Sequence, residues 1–508
     1  MRLLHHNLLE AANRWPDACA LRLGDAELSY SDLARRAGAI ARWLIAAGIR
    51  PGDRVALLFD AGFDYVTACY GVLMSGAAVL GLNAASRADD LFGVIRHAEC
   101  RVLILDAAHA EASALVALVS PVVRVLARHA DNRENGGDDL SAILAGDAGD
   151  PPAVRLGPNS LAALIYTSGT TGRPKAVMLS QQNLISNTDA ILEYLQLGHS
   201  DSIVSVLPFY YSYGASVLHT HIATGARIVI EANLVFPHRV VETMVRERTT
   251  GFAGVPSTFA LLTGRVQLGH YDLSALRYLT QAGGPMSPAL TDRVRKALPH
   301  ARLFVMYGQT EATSRLTYLP PERLAAKPGS VGMAIPGVRI EIRGDDQTQA
   351  PVGDAGEVWA KGPNVMLGYW RDTEATDATL VNGWLRTGDT GRMDAEGFLY
   401  LDGRRSDIIK VGAHRVYPRD IEAAIEELEA VAEVAVVGEE DATLGQVVKA
   451  CIVLAEGTTL DEMSVKAHCR ARLAGYKVPR IVEFIAALPK TSSGKVRRQL
   501  LTSNCAGS

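Results

Sequence analysis

Strand-like and helix-like apolar patterns alternate over the first 125 residues, and that alternation leaves few folds open. Between Leu28 and Phe59, the residues Leu33, Ala37, Ile40 and Leu44 recur at the spacing of one helical face. Gly48 suits the end of that helix, and Arg54–Phe59 (RVALLF) reads as a buried strand. A further helix and strand follow through VLMSGAAVLGLN and on to CRVLILD. Such alternation implies a mainly parallel sheet with helices on both faces. Residues 131–150, rich in Asp, Gly and Asn, read as a surface excursion. The pattern resumes with the strand LAALIYT, and α/β material continues to about Leu319.

From Val331 to Leu401 the texture changes to short strands punctuated by Gly, Pro and Asp, which predicts a β-rich lobe. Beyond Gly403 comes a compact α+β segment. Asp420 opens an amphipathic helix there, and EVAVVGEE and VKACIVLAE read as strands. The expected organisation is an α/β protein with a large multi-lobed N-terminal domain over 1–403, a hinge at 404–406 and a small mobile α+β domain over 407–508. The balance of 51 Lys+Arg against 55 Asp+Glu argues against a nucleic-acid binder, which carries a basic excess. No apolar run reaches the ~18 residues of a membrane helix, and MRLLHHNLLEAANRW lacks a signal peptide's continuous apolar segment. Six cysteines without a CxxC pair argue against a disulfide framework or zinc knuckle. The expectation is a cytoplasmic protein with reduced thiols.

The most informative stretch is Tyr166–Lys175 (YTSGTTGRPK), which follows a buried strand. Gly169 and Gly172 let the backbone turn so that successive N–H groups face an anion; Thr167, Ser168, Thr170, Thr171 and Lys175 add donors. This reads as a polyphosphate cradle. It is not a Walker A loop, because Lys175 follows proline and precedes alanine. A second motif, Tyr307-Gly308-Gln309-Thr310-Glu311, follows the apolar strand ARLFVM. It offers an aromatic face for a base, a hydroxyl, and the carboxylate that a hard cation bridging phosphates requires. A third, Trp384–Asp389 (WLRTGD), places one carboxylate beside glycine, where it can accept two ribose hydroxyls.

Together these motifs resemble the adenylate-forming (AMP-binding) superfamily, in its acyl- and aryl-CoA synthetase branch. The resemblance runs in the family's order from about Leu28 to Lys495. It implies that Tyr307 lies against adenine, Thr310 reaches the α-phosphate, Glu311 helps hold Mg²⁺, and Asp389 binds the ribose. Gly403-Arg404 resembles the family's Gly-Arg pair, with Arg404 on ribose and phosphate. Gly283-Gly284-Pro285 resembles the backbone segment along adenine and the acyl pocket. The closing run Pro489-Lys490-Thr491-Ser492-Ser493-Gly494-Lys495 resembles the family's tail motif, in which the second lysine stabilises negative charge during adenylation. Such a fixed cation contributes a large electrostatic term.

Leu207–Ser216 (LPFYYSYGAS) resembles the segment lining the acyl site, with Tyr211 at a gate and Ser212, Tyr213 and Gly214 beside it. Gly254, Val255 and Gln281 add a small-residue lining. Phe209–Leu218 contains no carboxylate to pair a substrate ammonium, and an unpaired buried ammonium costs several kcal/mol. The expected substrate is therefore an uncharged carboxylic acid. Two positions depart from the family pattern: the hinge residue is Ser406, and the glycine of the thiol tunnel is Ala413, with Gly412 adjacent. The implied activity is ATP- and Mg²⁺-dependent formation of acyl-AMP with release of pyrophosphate, then transfer to a thiol, with CoA as co-substrate. The alternative acceptors are a carrier-protein phosphopantetheine or an amine; a luciferase-type oxygenase is a more distant option.

Overall fold

The computed structural model describes residues 2–119, 123–129, 138–146, 149, 152–167, 175–231, 236–412, 414–441, 444–490 and 496–502. Two large sheets dominate. The eight-stranded sheet carries parallel strands Leu161–Thr167, Ala78–Gly81, Arg54–Leu58, Val102–Asp106, Arg124–Arg128 and Asp138–Asp139. Strands Lys175–Ser180 and Gly368–Tyr369 extend it antiparallel at one edge. In the nine-stranded sheet the parallel strands are Arg302–Tyr307, Tyr278–Gln281, Gly251–Gly254, Ser202–Ser205, Arg227–Ile230 and Cys19–Leu23.

Period-2 alternation assigns the strand side chains to cores on opposite faces. Val55 and Leu57 join one apolar cluster, Ala56 and Leu58 another. The first cluster also contains Leu21, Ile203 and Ile228 of the second sheet and residues of helices Tyr30–Ala46, Phe63–Ser75, Gln181–Leu195 and Ser212–Thr224. Those helices therefore pack both sheets onto one core. The four residues read as one helical face, Leu33, Ala37, Ile40 and Leu44, are fully buried in it. Gly48 follows the helix end at φ +83°, the left-handed conformation that glycine adopts without strain.

The β-rich lobe expected over 331–401 is an antiparallel sheet over residues 339–404, with strands Arg339–Arg343, Gly356–Lys361, Leu380–Val381, Trp384–Met393 and Leu399–Arg404. A separate sheet follows: Ile409–Val411, His414–Val416, Val431–Asp441, Gly445–Leu454 and Ile481–Phe484. The helix expected from Asp420 spans Pro418–Ile425, two residues earlier, because Pro418 is suited to the first helical turn. The predicted excursion at 131–150 is corrected in part. Asp139 caps a short helix, Leu140–Ala145, whose Leu140 and Leu144 are buried. Leu140 and Leu144 tie this helix to the core, while 131–137, 147, 148 and 150 lie outside the described residues.

Buried histidines make the fold acid-sensitive. Burial pushes His5, His219 and His221 down to about 4. His221 donates from Nδ1 to the Val217 carbonyl (2.8 Å) and accepts from the Tyr278 hydroxyl at Nε2 (2.7 Å), so it is held neutral. Below a pH of about 6.5 the unfolded chain takes up protons that these sites refuse, so stability present at neutral pH is lost as pH falls toward 4. We expect the melting temperature to fall steadily between pH 7 and 4.5; a flat profile would show that these histidines find charged-state partners.

Candidate active site

The parallel strands end at the residues singled out from sequence. Ligands in open α/β sheets collect at the carboxyl ends of strands. Here those ends lead into Thr167, Leu207–Gly214, Gly254-Val255, Gln281–Pro285 and Tyr307–Glu311.

Thr167 and Lys175 are cross-strand partners, and the Thr167 hydroxyl bonds the Lys175 carbonyl at 3.5 Å. Ser168, Gly169, Thr170, Thr171 and Gly172 lie outside the described residues. Lys175 Nζ stands 4.9 Å from the centroid of the Tyr369 ring. The Tyr369 hydroxyl donates to Glu311 Oε1 at 2.9 Å. Tyr369 therefore bridges the lysine of one motif and the carboxylate of another. Burial and the Glu311 charge both push its hydroxyl pKa up, so it stays a donor. Sequence reasoning used the GYW run only as a strand signal; an aromatic hydroxyl between Gly and Trp carried no chemistry until the sheet paired it with Val177.

Glu311 sits in a short 3₁₀ turn, Thr310–Ala312. Its carbonyl accepts from the Met366 amide at 2.9 Å. The preceding Gly308 is required by space: a Cβ there would meet the Ser314 carbonyl oxygen at 2.0 Å. The Gln309 side-chain nitrogen is buried without a partner, a donor left for an acceptor. Tyr307 donates to Asp389 Oδ2 at 2.5 Å, and Arg404 Nε contacts Asp389 Oδ1 at 2.8 Å. Asp389 and Arg404 are direct partners in the antiparallel ladder, which explains why residues 15 apart in sequence meet. The Asp389 charge holds the guanidinium protonated, while burial and the same charge push the Tyr307 hydroxyl upward.

The acyl-side residues converge on this cluster. Ser212 and Thr310 hydroxyls lie 3.3 Å apart. Tyr213 donates to the Thr280 carbonyl at 2.8 Å, and Gln281 donates to the Gly284 carbonyl at 2.9 Å. Gly214 lets helix Ser212–Thr224 approach Pro208, whose carbonyl oxygen a Cβ would meet at 2.1 Å. Gly254 pairs with Gln281 across the sheet, and Gly283, at φ +87°, faces Val255. Tyr211 precedes the helix and packs on Tyr210 at 4.5 Å between ring centroids. Pro285 is exposed beside them.

The remaining candidates begin two residues past Arg404. Ser406 is exposed and bonds Asp407 at 3.0 Å. Gly412 occupies the hairpin loop between Val411 and His414 at φ +58°, its amide bonding the Leu444 carbonyl at 2.8 Å. Ala413 and Lys495 lie outside the described residues.

The AMP-binding enzyme family matches residues 8–370, and the AMP-binding enzyme C-terminal domain matches residues 420–495. The chain belongs to the AMP-binding enzyme family. A feruloyl-CoA synthase from Amycolatopsis sp is 33% identical over 482 residues, covering 95% of this chain and 94% of that one. A long-chain-fatty-acid–CoA ligase from Bacillus subtilis (strain 168) is 32% identical, covering 98% of this chain and 94% of that one. The crystal structure of an anthranilate CoA ligase in complex with anthranoyl-AMP superposes with a TM-score of 0.91 at 25% identity, covering 98% and 96% of the two chains. This AMP-binding enzyme is an AMP-forming acid–thiol ligase: it activates a carboxylic acid with ATP as acyl-AMP and transfers the acyl group to CoA. No helix among the described residues is long and apolar enough to cross a membrane.

The bridge through Tyr369 has a measurable consequence. Tyr369→Phe keeps the ring under Lys175 but removes the hydrogen bond to Glu311. We expect acyl-AMP formation to slow by roughly 10-fold, the scale of losing one charge-assisted hydrogen bond. An unchanged rate would show that Glu311 needs no such support.

Proposed function

We propose that the Tyr307–Asp389–Arg404 cluster holds the adenosine of ATP, that Thr167–Lys175 holds its phosphates, and that an uncharged acid lies along Ser212–Gly214, Gly254-Val255 and Gln281–Pro285. The observation that carries this reading is the Ser212–Thr310 contact at 3.3 Å. It joins the acyl segment to the residue assigned to the α-phosphate, and attack of a carboxylate on that phosphorus needs the two adjacent.

In the first step a carboxylate oxygen of the acid attacks the α-phosphorus and pyrophosphate leaves. The chain supplies no nucleophile; its work is positioning and charge neutralisation. Asp389 accepts the ribose hydroxyls in exchange for Tyr307 and Arg404. Gln309 offers its unpartnered donor. Lys495 stabilises charge at the reacting centre. When bound, Mg²⁺ at Glu311 would neutralise charge on the phosphates. In the second step the CoA thiol attacks the acyl carbonyl and AMP leaves. We assign the thiol's approach to Gly412-Ala413, and the reorientation between steps to a hinge at 404–406 that separates 1–403 from 407–508.

The deciding experiment is a panel of aliphatic and aromatic acids assayed for pyrophosphate release with and without CoA. Release with several uncharged acids, and thioester only when CoA is present, is expected. Preferential use of α-amino acids, or amide products with an amine and none with CoA, would overturn the reading.

A further inference from the structure

Behind the acyl segment lies a buried cation with no anionic partner. Arg315 is 3% exposed. Its Nη1 donates to the Ser314 hydroxyl at 2.6 Å, and its Nε is buried without a partner. Its guanidinium carbon stands 4.2 Å from the centroid of the Tyr213 ring, the aromatic side chain assigned above to the acyl pocket. Among the described residues no carboxylate forms an ion pair with it. A lone buried guanidinium is costly, and natural proteins pair such charges or use them.

The surroundings point to use. Arg315 lines a cavity together with Ser216, Thr220, His221, Tyr278 and Thr280. Ser216 is one turn past Ser212 on the same helix, and its hydroxyl lies 3.3 Å from that of Ser314. Thr280 holds the Tyr213 hydroxyl. His221, pushed down to about 4 by burial, adds no second positive charge at neutral pH. The backbone of Arg315 is fixed from two sides: its carbonyl accepts from Asn187 Nδ2 at 3.1 Å and Asn364 Nδ2 at 2.8 Å. A rigidly mounted donor with an unfilled N–H therefore lies one aromatic ring away from the assigned acyl site.

We propose that Arg315 determines specificity for the far end of the acid by receiving an uncharged oxygen acceptor there: a carbonyl or a hydroxyl. The proposal rests on the acid-activation reading above. The same guanidinium repels a substrate ammonium, in agreement with the absence of a pairing carboxylate in Phe209–Leu218. A site built to hydrogen-bond a substrate group discriminates strongly against the analogue lacking it, because the buried donor is then left unpaired.

The test measures kcat/KM for pyrophosphate release with matched acids: cinnamate, 4-hydroxycinnamate and 4-carboxycinnamate, and hexanoate, 5-oxohexanoate and adipate. In the parent enzyme an oxygen-bearing acid is expected to exceed its plain counterpart by on the order of 10²-fold. Arg315→Met should erase that preference while leaving the plain acid active, and Arg315→Lys should keep part of it. The hydroxyl and carbonyl members identify the tail, and a preference for the dicarboxylates over them would overturn the uncharged acceptor. Equal use of plain and oxygen-bearing acids by the parent overturns the proposal, as does an unchanged preference in Arg315→Met. If Arg315→Met fails to melt cooperatively, the parent's selectivity and Arg315→Lys decide. Absence of pyrophosphate with every acid would instead overturn acid activation itself, so the two failures are distinguishable.

Discussion

Lys495→Ala is expected to lower acyl-AMP formation by 10²–10³-fold or more, the loss seen when a fixed charge is removed from a developing oxyanion. The tail motif that contains Lys495 is flanked by two anchors on the C-terminal sheet. Lys490 Nζ pairs with Glu433 at 2.7 Å, and the Lys490 backbone forms an isolated antiparallel bridge with Val496. Arg498 Nη1 bonds Glu422 at 2.5 Å and the Val436 carbonyl at 2.8 Å. The C-terminal-domain match runs over residues 420–495 and so includes Lys495, whereas Tyr307 and Asp389 lie outside that module. Substitution there should spare ATP binding, since adenosine is assigned to residues on the other module. It should also spare thioester formation from supplied acyl-AMP, which needs no charge at the α-phosphate. A variant that makes acyl-AMP at the parent rate would show that another cation serves the reaction.

The parallel sheets were legible because they are made by local signals. Leu33, Ala37, Ile40 and Leu44 mark a helix face by spacing alone, and each lies in the core. The motifs at Thr167 and Tyr307 were legible for a related reason: each directly follows a buried strand, so strand ends locate them together. What stayed hidden depends on pairing across long separations. Tyr369 is 194 residues from Lys175 and 58 from Glu311, and only the edge pairing Tyr369↔Val177 brings it between them. Arg315 stands four residues past Glu311 and looks in sequence like one more surface arginine. Its burial follows from Tyr213 and from two asparagines more than 45 residues away on either side. The Leu140–Ala145 helix was masked by its acidic neighbours, because composition averages over the two leucines that decide its packing.

Glu311→Gln gives the sharpest test of the metal assignment. The amide keeps the side chain's shape and can still accept from the Tyr369 hydroxyl, so the Thr310–Ala312 turn should hold. What disappears is the negative charge on which the metal assignment rests. A cation that relies on one protein carboxylate and on substrate phosphates loses its only anionic anchor to the chain. We expect the adenylation rate to fall on the order of 10²-fold and the magnesium midpoint to rise by roughly 10-fold. The sign of a third measurement separates this from general damage. Without a metal, the Glu311 carboxylate repels the polyphosphate, so glutamine should bind metal-free ATP as well as the parent or better. A damaged site would bind it worse. If the magnesium titration and the metal-free affinity are both unchanged, Glu311 is a support for Tyr369 and Lys175, and the cation is held by the phosphates alone.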